Sequence, residues 1–303
     1  MIAKSFSPST IQRYLWVWKQ FSIFREAYGL GSTLPVPERH IGLFLVNVFS
    51  KEAKAASTIT SYLTAIAWNH KIRGFPDPSK SYMLKRLLAG MKSGAKPTKQ
   101  AKPLTWDILR KVLKALPLVL SQDSYRLRLF KAAYLVAYFA SLRIGEFARS
   151  GSLKHTLTVE NVEFTAGKTP ELVLTLPTFK HSKLPARLVI PRGPRHMCAV
   201  RAVKKFLKIR PCKKGPLFVY QNGRPIDRVA VASTLKQALF FCGVNSKGYS
   251  THSFRAGRTT DLVESGVSEA IIRESGRWSS DAFRDYIRFD LFKLPGGKSG
   301  GAV

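Results

Sequence analysis

The first third of the chain repeats apolar residues every three to four positions. Ile11, Tyr14, Leu15, Trp18 and Phe21, extended by Arg25, share one face of a helix that Ser7 and Pro8 start and that Gly29 and Gly31 stop. The same spacing predicts a second helix over roughly residues 38–49 and a third from about Ser57, with Ile59, Tyr62, Leu63 and Ile66 on one side and Gly74 at its end. A fourth covers roughly residues 79–91. The stretch MKSGAKPTKQAKPLT, residues 91–105, then breaks the pattern: it has lysines, prolines and a glycine but no acid. That composition suits a basic linker between two domains, or a solvated loop between two helices of one domain.

Beyond Leu104 the pattern is mixed. Trp106, Leu109, Val112 and Leu113 mark a helix, and a long apolar helix follows over roughly residues 125–142. TLTVENVEF, ELVLTLP and ARLVIP are short β-branched runs separated by turn residues, which predict a small antiparallel sheet. Helices resume over roughly residues 196–209 and 229–242. The expected fold class is therefore mainly α with a small antiparallel β-sheet (α+β). The expected division is a helical domain over residues 1–92, a basic linker over 93–103, a mixed domain over 104–294 and a flexible tail over 295–303.

Charge changes the picture more than composition does. The chain carries 50 Lys and Arg against 18 Asp and Glu, a formal net charge of +32, far beyond what solubility needs. Self-repulsion of that size points to a polyanionic partner. An acidic membrane surface or an acidic protein would also serve, but the apolar stretches HIGLFLVNVF and AAYLVAYFASL are too short to span a bilayer. MIAKSFSPSTIQRY has no apolar signal-peptide core, and the basic residues are spread along the chain rather than gathered on one amphipathic helix. Nucleic acid is the expected partner, and no membrane association is expected. Cys198, Cys212 and Cys242 show neither paired spacing nor an even count, and no H-x-x-x-H pair occurs. Neither a disulfide framework, a metal site nor a cofactor is implied, and a reducing, intracellular compartment is expected.

Several polar residues stand in apolar or helix-starting contexts. SLRIGEFARS places Arg143 and Glu146 three apart at the end of the long apolar helix, on one face, where a plain ion pair is the simplest reading. THSFRAGRTT presents His252 and Arg255 at the same spacing at a helix start, where a His and an Arg can hold a phosphate oxygen between them. GRWSSDAFRDYIRFD adds Trp278 and, eight residues on, Tyr286. Alone, Trp278 reads as core packing, His252 as a helix-terminal residue and Tyr286 as an aromatic on an amphipathic helix.

In order, however, Arg, a strand-borne Lys, His-x-x-Arg, Trp and Tyr resemble the tyrosine recombinases, the phage-integrase family of DNA strand-exchange enzymes. The resemblance extends over nearly the full length, and HSFRAGRTT with GRWSSDAFRDYIR looks most like the recombinases of eukaryotic mobile elements, the DIRS and Crypton groups. It implies an N-terminal helical core-binding (SAM-like) domain and a C-terminal catalytic domain. It makes Arg143 and Arg255 the active-site arginines, Glu146 an acidic companion, His252 and Trp278 phosphate-site partners and Tyr286 the nucleophile. The family's lysine lies in a β-hairpin turn; LPTFKHSKLPARLVIP offers Lys180, which fits the first position of a K-x-x-K turn, and Lys183. The Trp278–Tyr286 interval is eight where nine is commoner in the family, and the tail after Tyr286 is short.

These residue types suit the implied reaction. Cutting and resealing a DNA strand without an energy cofactor requires the phosphodiester bond energy to be kept in a covalent intermediate, here a 3′-phosphotyrosyl bond. A phenol with a reference pKa near ~10 needs a cationic field or a base to act as a nucleophile. Arg143 and Arg255 would supply the field and bind non-bridging oxygens, each such donor being worth roughly 3 kcal/mol in the transition state. Lys180 would protonate the departing 5′-oxygen and His252 would exchange the nucleophile's proton. The expected function is a site-specific recombinase or integrase of a mobile element, acting on double-stranded DNA as a homotetramer on two duplexes, in the nucleus, or in the cytoplasm if the source is bacterial. A catalytically silent DNA-binding derivative and a type IB topoisomerase-like enzyme are the alternatives.

Overall fold

The hydroxyl of Ser7 accepts a hydrogen bond from the backbone N–H of Thr10, 3.2 Å away, and opens α1 (Pro8–Ala27) with a proline in its first turn. The computed structural model describes residues 5–94, 101–151, 153–178, 184–194, 196–278 and 281–286. The chain divides into two units, residues 1–98 and 99–303.

In the first unit α1 is followed by α2 (Glu38–Ser50), α3 (Ala56–Lys71) and α4 (Tyr82–Ser93). Their apolar faces meet in one core around Val17, Phe21, Ile41, Leu45, Ile59, Leu63, Ile66 and Leu84. α4 starts later than its pattern suggests, because Asp77 caps a separate 3-10 turn at Pro78–Lys80 and Ser81 then caps α4 itself. A buried histidine ties the unit together: the N–H of Val36 donates to Nε2 of His70 (3.1 Å), so Nδ1 carries the proton and donates to the carbonyl of Ile66 (2.9 Å). Burial holds this imidazole below its ordinary pKa, in keeping with the neutral form.

The second unit contains α5 (Trp106–Val119), α6 (Ser124–Phe139), α7 (Ile144–Phe147), β1 (Val162–Phe164), β2 (Leu172–Leu176) and β3 (Ala186–Ile190). It continues with α8 (Ala199–Leu207), α9 (Arg228–Phe241), α10 (Ser253–Glu264), α11 (Glu269–Gly276) and a 3-10 helix at Asp281–Tyr286. The strands form one antiparallel sheet in the order β1-β2-β3, with Val162 opposite Leu174 and Leu172 opposite Ile190. Mainly helical with a small antiparallel sheet, this is the fold class expected. α6 is the central element: Phe130 and every residue from Ala132 to Tyr138 is buried, which explains why its second half is apolar all round.

Two close approaches fix α10. Lys102 and Leu104 donate their N–H groups to the carbonyls of Gly248 and Ser253 (2.8 and 2.9 Å), and a Cβ on Gly257 would lie 1.8 Å from the carbonyl oxygen of Leu104. Only glycine allows α10 to pack against this extended segment. Of the linker expected over 93–103, residues 95–100 lie outside the described residues.

The long helix departs from expectation at its end. It stops at Phe139 rather than running through Leu142, because Ser141 takes a left-handed conformation (φ 47°). The N–H of Leu142 then bonds the carbonyl of Ala137 (2.9 Å) and that of Ser141 the carbonyl of Tyr138 (3.0 Å), a C-terminal cap that usually uses glycine. With no glycine in ASLR, the sequence carries no stop signal there.

Candidate active site

This early stop changes the geometry of Arg143 and Glu146. They do not share the face of one long helix: Arg143 is the N-cap of the short α7 and Glu146 its third residue. The carboxylate of Glu146 accepts from the backbone N–H of Arg143 (2.9 Å) and from its Nη1 (3.2 Å). The acid is buried, while the Arg143 side chain keeps a fifth of its surface open. One edge of the guanidinium is therefore held while the group stays accessible to an incoming anion.

Arg255, on the first turn of α10, is 1% exposed. Its Nη1 donates to the carbonyl of Ser141 (2.8 Å) and its Nη2 to the carbonyl of Gly276. The half-buried ring of Trp278 covers it, with Cζ of Arg255 3.8 Å from the ring centre, a cation–π contact. Gly276 makes this possible: a Cβ there would sit 2.0 Å from the indole Nε1. His252, the N-cap of α10, is exposed, and its backbone N–H donates to the hydroxyl of Ser250 (3.2 Å).

A residue that sequence reasoning passed over joins these parts. Arg277 ends α11 in a left-handed conformation (φ 54°), the N–H of Trp278 bonding the carbonyl of Arg273 (2.9 Å). Its side chain is buried and donates from Nη1 to the carbonyl of Ala140 (3.0 Å). From Nη2 it donates to the carbonyl of Ser141 (3.2 Å) and to Oε2 of Glu146 (2.7 Å). Two arginines thus satisfy the open carbonyls at the C-terminal end of α6, where the helix dipole favours positive charge. Burial lowers the pKa of Arg277 and the Glu146 carboxylate opposes that shift. The signal available in the sequence was an arginine directly beside Trp278; nothing in its spacing marked it as buried.

Arg143, Glu146, Arg255, Arg277 and Trp278 are therefore connected through one carboxylate and the last turn of α6. Lys180 and Lys183 lie outside the described residues. Tyr286 is the last residue of the 3-10 helix Asp281–Tyr286, five residues after Asp281, whose carboxylate pairs with Arg273; Arg284 in the same helix pairs with Glu269 (3.1 Å). Both ion pairs fasten this helix to α11, the element that also leads into Trp278.

A second polar network lies on the far face of α10. Asp261 accepts from the N–H of Trp106 (2.6 Å) and from the hydroxyl of Tyr138, and Arg258 stacks on the Tyr138 and Phe139 rings. Burial raises the pKa values of both Asp261 and Tyr138. This network supports the helix that carries Arg255.

No family model matches the chain. An integrase/recombinase from Selenomonas ruminantium, described as a XerD homolog, is 26% identical over 300 residues, spanning 92% of this chain and 81% of that protein. Among solved structures, the XerH site-specific recombinase bound to a palindromic difH substrate in a post-cleavage complex superimposes with a TM-score of 0.66 at 16% identity, covering 94% of this chain and 77% of that one. The Tn1549 transposon integrase in complex with circular intermediate DNA gives 0.61 at 15% identity, covering 94% and 90%. The chain shares the two-part, mainly helical fold of these recombinases.

Proposed function

We propose that the chain is a site-specific DNA recombinase of a mobile element, using Tyr286 as nucleophile and Arg143, Glu146, Lys180, His252, Arg255 and Trp278 as its catalytic set. The observation that carries this reading is the convergence of Arg143 with Arg255 and Trp278, which lie more than a hundred residues later in sequence, just past the C-terminal end of α6. The +32 charge and the absence, among the described residues, of any helix long and apolar enough to cross a membrane accord with a DNA substrate.

The chemistry follows from the residues. The Tyr286 phenolate attacks the scissile phosphorus, a P–O bond to tyrosine forms, and the bond to the 5′-oxygen breaks. Lys180 gives that oxygen its proton, and His252 accepts the one the phenol loses. Arg143 binds a non-bridging oxygen with the guanidinium edge that Glu146 leaves free. Arg255 donates inward to two carbonyls under Trp278, so its engagement with phosphate requires the indole to move aside. Reversal with a different 5′-hydroxyl rejoins the strand, and no external energy source enters.

Residues 1–92 form the helical DNA-binding part in this reading, residues 93–103 a basic connection and residues 104–294 the catalytic part. A homotetramer on two duplexes, an affiliation with eukaryotic mobile elements and a nuclear location belong to the same proposal. The wording of HSFRAGRTT and GRWSSDAFRDYIR is what favours the eukaryotic affiliation, and the nuclear location rests on that affiliation, the cytoplasm being expected if the source is bacterial; the likeness to a transposon integrase bears on the mobile-element reading alone. A nicked duplex carrying the ends of the element that encodes the chain tests it. We expect a covalent protein–DNA adduct whose tryptic fragment contains Tyr286, with a free 5′-hydroxyl on the released strand. Relaxation of any plasmid without exchange between duplexes would favour the topoisomerase reading, and binding with no adduct the silent one.

A further inference from the structure

The basic residues are not distributed evenly over the second unit. Between α6 and α8 lies a groove of about 680 Å³ lined by Arg128, Lys131, Arg201, Lys204, Lys205 and Lys208, with His196 at its rim and Leu127, Cys198 and Ala202 in its lining. No carboxylate lines it. Among the described residues none of these six cations enters a salt bridge with an acid, although Lys204 also lies over the Phe164 ring at 4.7 Å.

The arrangement follows from two helices with opposite needs. α8 turns Val200, Val203 and Phe206 into the core and is left with Arg201, Lys204, Lys205 and Lys208 on its other faces; α6 contributes Arg128 and Lys131 from its first half. The cations therefore face one another across a gap. Lys131, half-buried, has its pKa lowered first by burial and then by repulsion from Lys205. Like charges held this close destabilise the free protein, and a ligand with regularly spaced negative charges would relieve them.

The groove is separate from the candidate active site. Arg143 follows the C-terminal end of α6, whereas Lys131 lies in its first half, eight residues before the helix ends at Phe139, which at the rise of a helix is on the order of 12 Å along the axis. The buried stretch of α6 from Ala132 to Tyr138 lies between them.

We propose that this groove binds the phosphate backbone of a second DNA segment, distinct from the strand held at Arg143. Its lysine-rich lining suits phosphates rather than bases: lysine offers a point charge without the forked geometry that reads a base edge. The site rests on the recombinase reading for its context, but its binding chemistry stands apart from that reading.

The test uses the full chain and a bridging assay. One short duplex is immobilised, protein is added, and capture of a second, labelled duplex is measured together with the salt dependence of each binding event. In the variant K131Q/K205Q/K208Q we expect capture of the second duplex to fall by ~10-fold or more and its log–log salt slope to drop by about 2 to 3, since each lost phosphate contact removes ~0.9. Affinity for the first duplex should stay within about twofold, as those contacts are left intact. K111Q/K114Q/K236Q, which removes the same charge from exposed positions elsewhere in the unit, should leave capture unchanged.

Equal losses in both variants, weakened binding of the first duplex, or undiminished capture in the groove variant would each overturn the proposal. K205Q/K208Q, altering only exposed residues, guards against a folding defect and should give an intermediate loss. The Tyr286 adduct assay separates the two readings. If no adduct forms with either protein while capture is lost only in the groove variant, the groove stands and the recombinase assignment falls.

Discussion

The second unit holds two concentrations of positive charge, and they are built in opposite ways. At the end of α6 the cations are arginines, few, mostly buried and each fixed by named acceptors: Glu146 and the carbonyls of Ala140, Ser141 and Gly276. In the groove between α6 and α8 they are mainly lysines, mostly exposed and without carboxylate partners among the described residues. The first arrangement sets the position of a guanidinium to a fraction of an ångström, which chemistry on one phosphate requires. The second offers a diffuse field, which suits affinity and tolerates displacement. Charge density alone does not distinguish a catalytic centre from a binding surface; the acceptors behind the cations do.

Substitutions can break that contrast, and the largest effect should come from the buried pair. In Arg277→Met the Glu146 carboxylate loses its closest partner in a buried setting, a change that costs about 3–5 kcal/mol. Urea unfolding should show the loss, and Glu146→Gln placed in the same chain should restore part of it, since the two changes couple. If Arg277→Met unfolds at the wild-type midpoint, the arginine is not the tie between α11 and the end of α6.

Arg143→Ala should act on rate instead. Adduct formation is expected to fall by about 10²–10³, the cost of one preorganised donor, with DNA affinity changed only a few-fold. A loss confined to affinity would move Arg143 from the first kind of site to the second.

Gly276→Ala is expected to come next, at roughly 1–3 kcal/mol, because the added methyl occupies the place of the indole Nε1. The Trp278 emission should shift toward longer wavelength as the ring leaves Arg255. Unchanged emission would mean that the stack over Arg255 is not the state in solution.

The smallest effect concerns pH. Lys131 titrates below the ordinary lysine value of 10.5, with Lys205, Arg128, Arg201 and His196 as its charged or titratable neighbours. As pH rises toward that value Lys131 loses its charge, so second-duplex capture should weaken. Capture that is flat across this range would remove Lys131 from the groove's function.

How much of this could be read from the chain depended on the kind of signal. Helical spacing placed α1, α2 and α3, helped at α1 by the Ser7 and Pro8 start and after α3 by Gly74, although α3 buries a continuous run from Ala65 to His70 and not one stripe. The three β-branched runs marked the sheet for a similar reason. The turn at Ser141 was not legible, since a left-handed serine costs roughly 1 kcal/mol and is chosen only because the surrounding packing and two arginines hold its carbonyl. For the same reason Arg143 and Glu146 looked like a pair along one helix face rather than a cap and its third residue. Arg277 was hidden by composition: in a chain with 50 basic residues, one more arginine carries little information until its acceptors are seen. Nor could spacing reveal the groove, because its lysines meet across two helices about seventy residues apart.

In the proposed reaction the covalent step belongs to the arginine cluster and not to the lysine groove. The most direct measurement compares, on one nicked suicide duplex, the yield of covalent adduct from the unaltered chain, Tyr286→Phe, Arg143→Ala and K131Q/K205Q/K208Q. No adduct is expected from Tyr286→Phe, a trace from Arg143→Ala and a yield within about twofold of the unaltered chain from the groove variant, in line with the donor energies above. An adduct that survives Tyr286→Phe, or one lost in the groove variant but kept in Arg143→Ala, would contradict this assignment.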